Sequence, residues 1–145
     1  MKKLLILTLV FFGISTINAK KCPKPRLQKY RKVMSSAFAK EYSSCPVIIE
    51  AQYLKEGYLT NMRKPRKLKK MYFFQCTSIG GDTKNAPLTN EPVGDFFVID
   101  KKKADLVLDL KKGQKIRLTG KTFVQKFFGV GLSVFFIVSD IEVIE

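Results

Sequence analysis

The chain contains no histidine and no tryptophan among its 145 residues. Without histidine, Ser–His and Cys–His nucleophile pairs are excluded, and so is every metal site that uses an imidazole ligand. The three cysteines, Cys22, Cys45 and Cys76, fit no zinc-site spacing. We therefore expect no catalytic residues, no metal and no cofactor, and an enzyme is the function that the sequence favours least.

Acidic residues are also few, and the imbalance lies in one half of the chain. There are 12 Asp and Glu against 27 Lys and Arg, a formal net charge of +15. Residues 20–70 hold 15 basic and 3 acidic residues, whereas residues 71–145 hold 10 and 9. This asymmetry indicates an anionic partner, such as nucleic acid, an acidic glycan or an anionic lipid headgroup. The alternative is a solvated basic surface that only keeps the protein soluble.

Residues 1–19 predict a cleavable secretory signal peptide. Lys2 and Lys3 form a positive start, Leu4 begins a short apolar run, and Ala19 is a small residue just before the charge resumes. The run is too short for a membrane span, which needs about 20 apolar residues. We expect cleavage after Ala19, no transmembrane span in the mature chain, and export to the periplasm or the medium. An uncleaved anchor is the alternative.

Residues 20–45 form a basic N-terminal segment in which residues 26–42 predict an amphipathic helix. Apolar residues recur there at steps of three and four, with basic residues around them. The members of the stripe are Leu27, Tyr30, Met34, Phe38 and Tyr42. We expect the helix to pack on its own domain, although a basic amphipathic helix can also lie on a membrane.

An exported chain with three cysteines allows one disulfide and one remaining thiol. A helix of roughly 16 residues between Cys22 and Cys45 is about 24 Å long and holds its ends apart. Cys45 and Cys76 lie at the start of one predicted strand and near the end of the next, which are neighbours in an antiparallel hairpin. We therefore predict a Cys45–Cys76 disulfide. The alternative is two buried thiols, because free cysteine packs as a small hydrophobe.

Five segments of the remaining chain have strand patterns, separated by turns rich in glycine and proline. The predicted strands are residues 47–54, 71–78, 96–100, 115–124 and 132–144. Residues 79–95 predict a loop, and residues 104–110 fit either a helical turn or more strand.

Two stretches resemble the closing strands of OB-fold domains. Residues 110–121, Leu-Lys-Lys-Gly-Gln-Lys-Ile-Arg-Leu-Thr-Gly-Lys, have a glycine-led turn entering a strand that ends in glycine. Residues 135–142, Phe-Phe-Ile-Val-Ser-Asp-Ile-Glu, resemble the last strand. The resemblance implies that residues 46–145 form a mainly β, five-stranded OB-like Greek-key barrel, preceded by the N-terminal helix. Another five-stranded barrel or a small sandwich is the alternative.

The resemblance also implies a binding face. OB domains bind oligonucleotides or oligosaccharides on strands two and three, between the loops that follow strands one and four. In this chain those loops carry cations for phosphates and aromatic rings for stacking, as single-stranded nucleic acid requires. The candidate polyanion-binding residues are Arg63, Lys64, Arg66, Lys67, Lys69, Lys70, Lys121 and Lys126, and the candidate stacking residues are Phe127 and Phe128. The alternative is a solvated basic loop, with both phenylalanines used for packing.

The sequence thus favours an exported, non-catalytic module that binds an anionic polymer or surface. The alternative is a structural or protein-interaction component of the cell envelope, with a protein partner. A third possibility is a nuclease, since Gly81-Asp82-Thr83 and Arg117-Leu118 are similar to motifs of secreted staphylococcal-type nucleases. However, Arg117 lies 35 residues after Asp82, and that family's cluster of acidic residues is missing around Asp82.

Overall fold

The structure is a computed structural model that describes residues 21–59, 63–85, 92–127 and 131–145. The predicted signal peptide lies outside these residues. The strands are β1 (Val47–Glu56), β2 (Met71–Thr77), β3 (Lys84–Asn85), β4 (Pro92–Val93), β5 (Asp95–Asp100), β6 (Lys115–Phe127) and β7 (Gly131–Val143). The helices are α1 (Tyr30–Val33) and α2 (Asp105–Leu108), with 3-10 turns at Ala39–Tyr42, Arg66–Leu68 and Lys101–Lys103.

Five of the strands close into a barrel in the order β1-β2-β5-β7-β6, with β6 returning to β1. All neighbouring pairs are antiparallel except β5 and β7, which are parallel. The predicted mainly β, five-stranded OB-like barrel is therefore confirmed. Strands β3 and β4 form a separate small sheet within the segment predicted as a loop. No helix among the described residues is long and apolar enough to cross a membrane.

Alternation along the strands separates side chains that point into the barrel from those that point out of it. Phe74, Phe97 and Phe136 point inward, with ring centroids 5.6 Å apart for both Phe74–Phe97 and Phe97–Phe136. We call the buried residues around them the inner cluster, which also includes Val33, Ile49, Ala51, Tyr53, Cys76, Ile99, Ile116, Leu118 and Val138. This cluster is the core of the domain.

A register shift lets the long strands β6 and β7 follow the barrel wall. Thr119 pairs with Asp140 but Gly120 pairs with Val138, so one residue of β7 is left without a partner. Gly120 is required at this point because a Cβ atom there would lie 2.2 Å from the carbonyl oxygen of Ile137. Strand β6 continues through this glycine and ends at Phe127, three residues beyond the predicted end at residue 124.

The single amphipathic helix expected over residues 26–42 is not what the chain forms. Leu27 is extended and pairs in parallel with Ile48, and helical structure is limited to α1 and the 3-10 turn Ala39–Tyr42. Between these two elements the chain turns at Ser35, whose carbonyl oxygen accepts from the backbone N–H groups of Phe38 and Ala39 at 3.1 and 2.8 Å. Only part of the apolar stripe is buried: Tyr42 is buried, whereas Leu27 is 57% exposed.

The predicted Cys45–Cys76 disulfide is wrong, because the structure has a Cys22–Cys45 disulfide with 5.4 Å between the Cα atoms. Parallel pairing of Leu27 with Ile48 places the residues that precede each of them at the same end, so Cys22 and Cys45 meet. Cys76 lies opposite Tyr53, well along β1, and is a buried free thiol. The prediction failed because it assumed a long helix between the first two cysteines.

Candidate polyanion-binding face

The outward side chains of four neighbouring strands form rows across the barrel surface. In one row Phe73 of β2 pairs with Val98 of β5, Val98 pairs with Ile137 of β7, and Ile137 pairs with Lys121 of β6. Neighbouring strands lie about 4.8 Å apart, so this row spans about 14 Å. One of the predicted cations therefore stands at the end of an apolar row.

The next row is aromatic. Phe96 of β5 pairs with Phe135 of β7, which pairs with Phe123 of β6. The Phe96 and Phe135 rings are stacked with centroids 6.0 Å apart, and Phe123 lies 6.3 Å from Phe135. Tyr58, from the segment after β1, packs on this surface with its ring 4.7 Å from Phe96 and 4.9 Å from Phe73. We call this second apolar region the outer cluster, which also includes Leu68, Met71, Val98, Phe127 and Ile137.

The predicted basic run, residues 63–70, lies over the outer cluster, and we call it the basic strap. Pro65 and Leu68 are buried, whereas the cations between them are exposed. The 3-10 turn Arg66–Leu68 gives this pattern because it directs Leu68 to the barrel and its two basic neighbours to solvent. Apolar anchoring therefore fixes the backbone from which the cations project.

Two lysines of the strap are placed by aromatic rings. The Nζ atom of Lys64 lies 4.8 Å from the Phe73 ring centroid, and that of Lys67 lies 6.0 Å from the Phe123 ring centroid. Such contacts stabilise by about 0.5–1 kcal/mol at exposed sites. Since Phe73 belongs to β2 and Phe123 to β6, the strap reaches across all four strands of the face.

Separating the strap from the sheet would be costly. Leu68, Phe73, Val98 and Phe135 are each at most 3% exposed. Burial of one such side chain contributes about 1.5–3 kcal/mol, so exposing all four would cost up to about 6–12 kcal/mol. A whole domain is stable by only about 5–15 kcal/mol. The strap is therefore a fixed layer of the fold.

None of the six strap cations forms an ion pair with a carboxylate of the described residues. Arg117 shows the opposite arrangement. Its guanidinium donates to Glu50 of β1 at 2.8 Å and to Glu142 of β7 at 3.2 Å, and all three residues are register partners. Arg117 thus has a carboxylate partner on each neighbouring strand. The strap cations have no such partner and remain available to solvent or a ligand. The described residues also contain no group of three acidic or cysteine side chains that could hold a metal ion.

The structure brings most, but not all, of the predicted site residues together. Strap residues Lys64 and Lys67 share the outer face with Lys121, which is two residues from Phe123 on the same side of β6. Lys126 is exposed, but strand alternation places it on the opposite side of β6 from Phe123. Phe127 is half-buried and packs 6.4 Å from Phe135, and Phe128 lies outside the described residues.

Lysines 101–103 were missed as candidates, and strand register places them at this face. Met71 pairs with Asp100, so the run that follows β5 begins beside Lys70 at the end of the strap. Lys103 donates to the carbonyl oxygen of Ser139 at 2.7 Å, while Lys101 and Lys102 are exposed. The run itself is visible in the sequence, but its position depends on the pairing of β2 with β5. We call the strap, Lys101, Lys102 and Lys121 the basic face.

A cleft of about 500 Å³ lies elsewhere, between α1 and the ends of β2 and β5. The Tyr30 hydroxyl lies 2.8 Å from Asp95 Oδ2 and 3.1 Å from the carbonyl oxygen of Cys76. Burial raises the pKa of Asp95, while the Tyr30 hydrogen bond and the charge of Lys84 partly oppose that shift. Burial likewise raises the pKa of Tyr30 far above its ordinary value. These groups join the N-terminal segment to the barrel.

The strand order and closure define the class of the protein as an OB-fold domain. Solved structures with a similar fold include OBody AM3L09 bound to hen egg-white lysozyme, with a TM-score of 0.47 and 9% identity over 72% of this chain and 86% of that chain. Others are the mitochondrial single-stranded DNA binding protein Rim1 from S. cerevisiae (0.41, 10%, 72% and 96%) and the small single-stranded DNA-binding protein from Streptomyces coelicolor (0.39, 13%, 68% and 93%). No protein-family model matches the chain, and no curated protein matches its sequence.

Proposed function

We propose that the protein is a non-catalytic module that binds an anionic polymer on its basic face. The observation that carries this proposal is the basic strap. Its cations have no carboxylate partner among the described residues, and buried Pro65 and Leu68 hold their backbone in place. Charges arranged in this way can meet phosphate or sulfate groups with little loss of backbone freedom, because folding has already ordered the strap.

We further propose that the mature protein works outside the cytoplasm. The Cys22–Cys45 disulfide supports this proposal, because structural disulfides persist mainly in oxidising compartments. There the basic face would encounter acidic glycans, anionic lipid surfaces or released nucleic acid. The alternative role in binding an envelope protein has less support, because the aromatic side chain at the end of β6, Phe127, packs against Phe135 of its own barrel.

The test is the salt dependence of polymer binding. We expect a fluorescent single-stranded oligonucleotide of about 16 nucleotides, the upper site size of one OB fold, to bind at about 50 mM salt and to weaken steeply by about 200 mM. The triple variant R66Q/K69Q/K70Q should bind at least tenfold more weakly and lower the slope of log affinity against log salt by about 2.

The matched control is the variant K111Q/K112Q/K115Q, which removes the same charge from exposed residues at the other end of β6. Lys115 is six residues from Lys121, or about 20 Å along the strand. The control should keep its affinity within about twofold, because screening limits the effect of distant charges. Equal loss in both variants would show that only net charge matters, and absence of binding to this oligonucleotide, heparin and anionic vesicles would refute the proposal.

A further inference from the structure

The face that OB domains commonly use to stack bases is already covered here. Phe73, Val98 and Phe135 on the outward side of β2, β5 and β7 are at most 3% exposed, under Tyr58 and the basic strap. A base can stack on a ring only where the ring presents a free face. Phe73 and Phe135 are buried, and the other outer-cluster rings in the described part of the chain are only partly exposed and pack against neighbouring rings: Tyr58, Phe96, Phe123 and Phe127.

Opening this face to a ligand is not favourable. Lifting the strap would expose Leu68 and part of the apolar surface beneath it, and burial of one such side chain contributes about 1.5–3 kcal/mol to stability. It would also separate Lys64 from Phe73 and Lys67 from Phe123. A bound polymer therefore meets the outer surface of the strap, where cations and their aliphatic stems project and no described ring of the outer cluster is more than partly exposed.

We infer that the basic face recognises the closely spaced negative charges of a phosphate polymer and makes no stacking contact with its bases. This inference rests on the proposed function and specifies its ligand chemistry. It makes this chain different from OB domains that read single strands with exposed aromatic rings. Recognition then depends on phosphate spacing and salt, and it is indifferent to sequence and to the presence of bases.

The experiment compares two labelled oligonucleotides of equal length, one of thymidines and one with abasic sites throughout, at the same salt concentration. Both carry the same phosphates, so we expect dissociation constants within about twofold of each other. Stacking would instead weaken the abasic strand by about fivefold to a hundredfold for each base lost. An abasic strand that binds tenfold or more weakly would overturn the inference. Loss of binding by both strands would overturn the proposed function, and this inference with it.

Two further measurements test whether binding depends on charge alone. Phe127→Leu, at the half-buried rim of the outer cluster, should leave the affinity for the thymidine strand unchanged within twofold, whereas Arg66→Gln should lower it. Inorganic polyphosphate should displace the strand, because it supplies phosphates without bases or sugars. Failure of polyphosphate to compete, or a Phe127→Leu loss as large as that of Arg66→Gln, would contradict charge-only recognition.

Discussion

The two apolar clusters of the barrel differ in what covers them and therefore in what they do. The inner cluster is enclosed by all five barrel strands and by the N-terminal segment, whereas the outer cluster is covered by Tyr58 and the basic strap. The first holds the fold together. The second also fixes the positions of cations, so that a basic surface is built by burying hydrophobic residues beneath it. The exposed cations are therefore positioned by the buried side chains of Pro65 and Leu68, without ion pairs to the described carboxylates.

Neighbouring residues of β5 give the sharpest test of this difference, because Phe97 points inward and Phe96 points outward. Phe97→Ala should lower the free energy of unfolding by about 4 kcal/mol, as expected for a fully buried phenylalanine. Phe96→Ala should cost clearly less, because its side chain is only half-buried. Urea denaturation of both variants measures the two values. A larger loss for Phe96→Ala would mean that the outer cluster is the main core.

Leu68→Ala addresses the outer cluster from the side of the strap. Leu68 is 2% exposed, so the substitution should cost about 2–3 kcal/mol of unfolding free energy. It should also weaken binding of the thymidine oligonucleotide, because the cations lose their fixed backbone. Residual unfolding can be excluded by circular dichroism at the temperature of the binding assay. Unchanged oligonucleotide affinity in a destabilised but folded variant would separate the strap anchor from the binding surface.

The smallest expected effect is a pH dependence confined to the N-terminal side of the inner cluster. Burial raises the pKa of Asp95, so the folded state favours the neutral carboxyl. This contribution to stability is fully present below the unfolded pKa of about 3.9 and is lost as the pH rises through the folded pKa. Asp95→Asn keeps an oxygen that can accept from Tyr30 and does not titrate.

Urea denaturation at several pH values between 4 and 7 should therefore show the wild type losing stability relative to Asp95→Asn as the pH rises. A wild type that gains stability relative to the variant over the same range would show that the Tyr30 hydrogen bond and Lys84 outweigh burial at Asp95.

Sequence patterns predicted the barrel well because period-two alternation directly reflects which side of a sheet is buried. The five predicted strands all occur, with ends shifted by at most a few residues at β1 and β6. The N-terminal helix was predicted less well because an apolar stripe indicates which residues are buried but does not determine the backbone conformation between them. In this chain a turn at Ser35 buries Tyr42 without a continuous helix.

The basic strap and Lys121 were identified from composition and from the OB resemblance, but the role of the rings beneath them was not. Phe73 and Phe135 lie in strands whose central residues are apolar on both faces, a pattern typical of strands covered on both sides that does not identify what covers them. The sequence did not predict which segment covers the outer side of the sheet, because a segment rich in lysine and arginine has no apolar pattern. Pro65 and Leu68 provide the contacts with only two residues.

The sequence by itself determined the number of barrel strands and the positive charge of the first half, because these depend on local alternation and on composition. Only the tertiary structure decided which cysteines pair, that lysines 101–103 lie beside the strap, and that the aromatic face is largely covered. These features depend on contacts between residues far apart in the chain. Such contacts are set by strand register and by competition for buried surface. Neither of these can be predicted from a short stretch of sequence.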